Sequence, residues 1–248
     1  MRIAVLNDIH GNLPALEAVL PEVRRERVDQ IVIGGDVIVG PMSREVLAGL
    51  TALDIPVRFL FGNGEVAVMQ TTAGQLPASV PEKYRSWISW TAEQLHPEYD
   101  ALLASWPKTI TLDVPGLGDV LFCHGTPRDE NEIITQITPE DRVLPVLDGV
   151  TARVVVCGHT HMQYDRMIGL TRVVNAGSVG MPFGDPGADW LLLGPDVQLR
   201  HTDYDLAAAA ARVRATKFPG AEEFASKYVL DPPTAAQMLE LYGGVQSR

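Results

Sequence analysis

Five short apolar runs limit what this chain can fold into: Ile3 to Leu6, Ile31 to Ile33, Val57 to Phe61, Val120 to Cys123 and Val154 to Cys157. They are rich in Val and Ile, bounded by Gly, Asp or Asn, and separated by helical patterns, as buried parallel strands of an α/β domain are. The first intervening helix is plainly written. Asn12 is placed to cap it, Pro14 sits in its first turn, and Leu13, Leu16, Val19, Leu20 and Val23 keep helical spacing. After His159 the pattern changes. Gln163 to Ile168, Arg172 to Val174, Trp190 to Leu193 and Val197 to Arg200 lie close together around Gly-centred turns and predict antiparallel strands. Pro81 to Trp106 predicts helices over the end of the sheet, with Trp87, Trp90 and Trp106 packed inside. From Leu206 onward the chain predicts helices, the last starting at Pro232 and Pro233.

The polar residues that follow these runs carry the functional signal. Asp8 and His10 follow the first, Asp36 the second, Asn63 the third, His124 the fourth, and His159 with His161 the fifth. Open α/β sheets bind ligands beyond the carboxyl ends of their strands, so these side chains can converge on one place. A lone histidine at a strand end is usually a hydrogen-bonded structural residue; the joint placement points to a metal centre. Asp8 and His10 are two apart, as are His159 and His161, so in extended chain each pair projects to one side. Gly34, Gly35, Gly62, Gly64, Gly125 and Gly158 stand beside these positions and allow close backbone approach. His96 and His201 lie outside the set and read as structural or surface residues. Cys123 and Cys157 alternate away from the neighbouring ligand positions, which makes them core residues rather than zinc ligands.

Asp8-Ile9-His10, Gly35-Asp36, Gly62-Asn63, His124 and Gly158-His159-Thr160-His161, in this order, resemble the calcineurin-like metallophosphoesterase superfamily over about residues 1–200. The segment Asn175-Ala176-Gly177-Ser178-Val179-Gly180 further resembles its small YfcE-like branch. The resemblance implies a four-layer α/β/β/α sandwich of two mixed sheets flanked by helices. We expect one domain over residues 1–248, its core ending near residue 200 and a helical C-terminal extension running from about 204 to 248. It also implies that Asp8, His10 and His161 hold one divalent metal, that Asn63, His124 and His159 hold a second, and that Asp36 bridges them. Such a nitrogen and oxygen set without thiolate favours Mn, with Fe, Ni, Co or Zn as alternatives.

The chemistry implied is phosphoester hydrolysis by a hydroxide held at a two-metal centre, with Asp36, Asn63 and His124 in the catalytic machinery. A phosphodiesterase is favoured; a dinucleoside-polyphosphate hydrolase, a phosphomonoesterase and a non-catalytic scaffold of the same fold are the alternatives. Asn12 and Arg128 are candidate substrate contacts, Asn12 with a competing role as a helix cap. One departure stands out. Many family members place a histidine directly after the Asn of Gly-Asn, where it can protonate the leaving oxygen, and here that residue is Gly64. Without it, rates are expected to fall steeply as the leaving group becomes less acidic.

Charge and composition narrow the partners. At 46% hydrophobic and 21% charged this is an ordinary globular chain, and its net charge of −11 weighs against binding nucleic-acid backbones. The expected partner is a small phosphoester or nucleotide, although neither a Gly-x-x-x-x-Gly-Lys-Ser/Thr nor a Gly-x-Gly-x-x-Gly cradle is present. Two isolated cysteines, no signal-like start and no apolar run near the ~20 residues of a membrane span give a cytoplasmic expectation, with no membrane partner. Oligomeric state is not legible.

Overall fold

The computed structural model describes residues 1–78 and 80–246. Its first sheet is built from β1 (Ile3–Leu6), β2 (Gln30–Gly34) and β3 (Val57–Leu60). The second contains β4 (Ile110–Val114), β5 (Gly118–Phe122), β6 (Val154–Cys157), β7 (Tyr164–Ile168) and β8 (Thr171–Asn175). The chain then returns to the first sheet with β9 (Ala188–Leu193) and β10 (Val197–Thr202). The strand orders are β10-β9-β1-β2-β3 and β4-β5-β6-β8-β7. Both sheets are mixed: β1, β2 and β3 run parallel while β9 pairs antiparallel with β1, and β5, β6 and β8 run parallel between antiparallel edges β4 and β7.

Side-chain alternation along these strands makes the layers. Ile3 and Val5 of β1 face between the sheets, where they join Val32, Val120, Phe122, Val154, Val156, Leu191 and Leu193. Ala4 and Leu6 point to the opposite face and pack under helices. Val155 and Cys157 likewise face outward from the second sheet, with Cys123, Val173 and Val143. Both cysteines are therefore buried and unpaired in an apolar layer, as expected. Burial pushes the Cys157 thiol up to about 11.

Over the first sheet lie α1 (Leu13–Arg25), α2 (Ser43–Thr51), α3 (Asn63–Thr72), α4 (Glu82–Leu95) and α5 (Asp100–Ala104). The short α6 (Glu140–Val143), continued by a 3₁₀ turn over Leu144–Leu147, covers the second. After β10 come α7 (Leu206–Arg214), α8 (Ala221–Phe224) with its π-helical continuation to Leu230, and α9 (Ala235–Gln246). Trp87 is buried among Tyr84, Phe218, Phe224 and Tyr228, and Trp106 stacks on Phe59 with centroids 4.7 Å apart. The tryptophans of this region are packing residues.

One strand escaped the sequence reading. Ile110, Leu112 and Val114 alternate with Thr111 and Asp113, a period-2 edge-strand pattern closed by the Pro115-Gly116 turn. Its half-exposed burial explains why it lacks a continuous apolar run.

Candidate metal centre

The loops after β1, β2, β5 and β6 meet at one end of the sandwich, together with the start of α3. Asp8, Asp36, His10, His124 and His161 are buried there, and Asn63 and His159 are half-buried. Five of them have left-handed backbone: φ is 53° at Asp8, 47° at His10, 48° at Asp36, 64° at His159 and 58° at His161. This corrects the expectation that Asp8/His10 and His159/His161 converge by strand alternation. The chain has already left the sheet, and tight left-handed turns aim the side chains. Glycines make room for them: a Cβ on Gly158 would lie 2.4 Å from Asp8 Oδ2, and one on Gly62 only 2.2 Å from Asp36 Oδ1. Gly125 does not share that role, since its Cβ would meet backbone carbonyls of residues 129–132 instead.

Two groups of ligand atoms form. In the first, His10 Nε2 and His161 Nε2 are 3.2 Å apart, and Asp8 Oδ1 lies 3.3 Å from His161 Nε2 and 3.8 Å from His10 Nε2. The second gathers Asp8, Asp36 and His124. Asp36 serves both sides: Oδ2 is 3.7 Å from His10 Nε2, and Oδ1 is 3.6 Å from His124 Nε2. Asn63 Oδ1 approaches His124 Nε2 at 3.0 Å. His159 is brought alongside His124, with centroids 5.1 Å apart, but its ring nitrogens stand outside both three-residue groups. Its backbone N–H instead donates to Asp8 Oδ2 at 2.9 Å.

The surroundings set the imidazoles' roles. His124 Nδ1 donates to Gly34 O and His161 Nδ1 to Met181 O, so in each ring Nε2 is the nitrogen that faces the centre. Burial holds His10 down at about 4, and burial with the neighbouring His124 does the same for His159, so both are neutral near pH 7. For His124, burial is outweighed by Asp36 and Asp8, and its pKa rises. Asp8 is fully buried, yet His161 and His124 hold its carboxyl well below the usual range. Oδ1 of this carboxylate has no hydrogen-bond partner among the described residues. An orphaned buried carboxylate oxygen facing imidazole Nε2 atoms is what a divalent cation would satisfy, and imidazole nitrogen with carboxylate donors suits a transition metal.

Glu65 was missed by the sequence reading. It is buried at the third position of α3, and its two oxygens accept from four backbone N–H groups: Asp36 (2.8 Å), Val37 (2.9 Å), Ile38 (3.3 Å) and Gly62 (2.7 Å). Burial and the nearby Asp36 push its pKa up to about 7, while these acceptor bonds favour the carboxylate. Glu65 thus fixes the loop that presents Asp36. The signal was a glutamate three residues after the helix-capping Gly62. Gly64 N donates to Asp36 Oδ1 at 2.7 Å, so this position holds the bridging candidate through its backbone. From the other side, Asn175 donates to Gly158 O (2.6 Å), and Ser178 Oγ donates to Asp8 O (2.7 Å) and accepts from Met181 N (2.8 Å).

The candidate substrate contacts behave differently. Asn12 Oδ1 accepts from Ala15 N (3.2 Å) as the cap of α1, and its amide donates to Gly180 O (2.8 Å) and towards Tyr204. Arg128 is ion-paired with Glu132. Outside the centre, His96 pairs with Asp100 and His201 with Asp189.

The family model of the calcineurin-like phosphoesterase superfamily domain matches residues 1–194. MJ0912, an uncharacterised protein of Methanocaldococcus jannaschii, is 25% identical over 240 residues, covering 88% of this chain and 93% of that one. The crystal structure of PH1004 from Pyrococcus horikoshii has the same fold, with a TM-score of 0.80 at 21% identity over 94% of this chain and 99% of that one. A metallophosphoesterase structure from Sphaerobacter thermophilus matches with a TM-score of 0.68 at 26% identity, over 91% of this chain and 98% of that one. With the fold, the converging strand-end ligands and the family match in agreement, the chain belongs to the calcineurin-like phosphoesterase superfamily.

Proposed function

We propose that this phosphoesterase cleaves phosphodiesters of a small or nucleotide substrate at a centre holding two divalent metals, Mn favoured. The divided reach of Asp36 carries the reading, with one oxygen towards His10 and the other towards His124. Bound divalent ions would lower the pKa of water to ~7 and offset phosphoryl charge. Asp8, His10 and His161 would hold one ion, Asp36 would share both, and His124 with Asn63 and His159 would hold the other. The Asn63 amide, at the half-buried rim, would orient a phosphoryl oxygen. A diester is favoured over a monoester because a dianionic group calls for an added cation, whereas Arg128 is paired with Glu132 and Lys108 with Glu130.

The test is hydrolysis of bis-p-nitrophenyl phosphate after chelation, then with Mn²⁺ or Ca²⁺, beside a nitrophenyl monoester and a dinucleoside polyphosphate. Activity should vanish on chelation, return with Mn²⁺ far more than with Ca²⁺, and accompany about two ions per chain. Asp36→Asn should abolish turnover and weaken binding of both ions, because a neutral amide cannot replace a carboxylate shared by two cations. Full turnover in metal-free protein would overturn the two-metal reading. Metal uptake with no turnover on any ester would instead identify a binding scaffold.

A further inference from the structure

A cavity of about 290 Å³ lies beside the metal centre, at the small end of the ~300–1,000 Å³ range of small-molecule sites. Two of its walls are each tied to a candidate ligand. Phe183 lines it and stacks on His161 with centroids 4.8 Å apart, and Phe183 N donates to His161 O at 3.0 Å, which holds the ring there. Asp189 lines it too, and its N–H donates at 2.9 Å to the carbonyl of Ser178, the residue whose hydroxyl braces Asp8. A group in this cavity is therefore one aromatic ring away from His161.

The lining defines what kind of group fits. Phe183 and the buried Met162 supply a flat ring and a polarisable thioether, surfaces against which a planar ring packs. The polar side is built from acceptors. Gln163 Nε2 is engaged by three backbone carbonyls, those of Ala176 (3.2 Å), Trp190 (3.0 Å) and Arg200 (3.0 Å), so Oε1 is what this side chain can offer the cavity. Asp189 Oδ1 lies 2.8 Å from Nδ1 of His201, and Asp185 adds a second carboxylate at the exposed rim. No Lys or Arg is among the described residues that line the cavity. Two carboxylates against one imidazole repel a second phosphoryl group and attract N–H donors.

We propose that this cavity is a substrate subsite that takes a nucleobase bearing an amino group, stacked on Phe183 with its N–H donors turned to Asp185, Asp189 and Gln163, while the attached phosphodiester lies at the metal centre. This rests on the phosphoesterase reading above and narrows its substrate to a nucleotide diester. A chain of further phosphates would be repelled by the same carboxylates. Thymine presents a carbonyl oxygen where cytosine and adenine present an amino group, so it would set acceptor against acceptor.

The experiment is kcat/KM of the Mn²⁺-loaded protein on p-nitrophenyl phosphodiesters that share one leaving group and differ in the other: methyl, benzyl, thymidine, deoxycytidine and deoxyadenosine. Metal content and Tm are measured on wild type, Phe183→Leu and Asp185→Asn. The deoxycytidine and deoxyadenosine esters should exceed the methyl ester by ~10–100-fold, chiefly through KM, with the benzyl and thymidine esters between. Phe183→Leu should shrink the advantage of every ring-bearing ester over the methyl ester. Asp185→Asn should shrink the advantage of the amino bases over thymidine by ~5-fold or more. If Phe183→Leu loses metal, the exposed Asp185→Asn change decides alone. Equal kcat/KM on all the esters, a thymidine ester as good as the deoxycytidine ester, or a base preference that Asp185→Asn leaves intact would overturn the proposal. If wild type cleaves none of the esters, the phosphoesterase reading itself falls and this inference with it, a result distinct from an active enzyme without base preference.

Discussion

Glu65 shows how one side chain can shape a candidate metal centre through the backbone that carries it. It offers two acceptor oxygens to four backbone donors, three of them on the Asp36 to Ile38 turn. Asp36 sits at φ 48°, a conformation that costs roughly 1–3 kcal/mol and persists only where the surroundings over-determine it. Removing the Glu65 carboxylate leaves buried N–H groups unpaired, at ~1–3 kcal/mol each. Glu65→Ala should therefore destabilise the metal-free protein by several kcal/mol in urea melts, beyond the usual cost of a single substitution. Metal affinity should fall with it. A loss below ~1 kcal/mol would mean that the Asp36 turn holds its shape without this clamp.

At the scale of elements, the loop after β1 and helix α1 are joined through Asn12. Its side chain caps α1 and also ties it to Gly180, at the end of the segment that braces Asp8. An N-cap of this kind contributes ~1 kcal/mol, and a second buried hydrogen bond about as much again. Asn12→Ala should lower stability by ~2 kcal/mol while leaving KM for a phosphodiester within a few-fold of wild type. A large rise in KM with unchanged stability would restore Asn12 as a substrate contact. The centre depends on such ties because its loops come from both sheets, and a one-residue shift in either would misalign ligands.

For the whole molecule, the metal-free centre is a liability as pH falls. His10 and His159 have folded pKa values of about 4 against an ordinary 6.5, so between these limits the unfolded chain binds more protons. Their contribution is fully present above pH 6.5 and is lost as pH falls towards 4. His124 has the opposite sign: its raised pKa adds stability that is present below 6.5 and lost as pH rises through the folded value. Glu65, raised to about 7 against an ordinary 4.5, also opposes them, since between these limits the folded chain binds more protons; the two imidazoles outweigh this one carboxyl, so chelated protein should lose Tm between pH 6.5 and 4.5, and more steeply than a His10→Asn/His159→Asn double variant measured alongside. Identical pH profiles would show that these imidazoles are not held neutral in the folded state.

Strand periodicity made most of the two sheets legible in the sequence, because a strand buried on both faces must be apolar along its length. Where burial was partial, as in Ile110–Val114, that signal weakened and the strand was overlooked. The kinds of residue at the strand ends were equally legible, since ligand chemistry depends on side-chain type and chain order. How they reach one another was decided only in the folded chain. The left-handed turns at Asp8, His10, Asp36, His159 and His161 replace the expected strand alternation, and Glu65 reaches back to the Asp36 turn across 29 residues. Arg128 found Glu132 rather than the centre, and Gly180, far along the chain, came to brace the turn that carries Asp8. Local sequence sets what a segment prefers to bury, whereas backbone strain and the choice of partner depend on groups that only the tertiary fold brings within hydrogen-bond or Coulomb range.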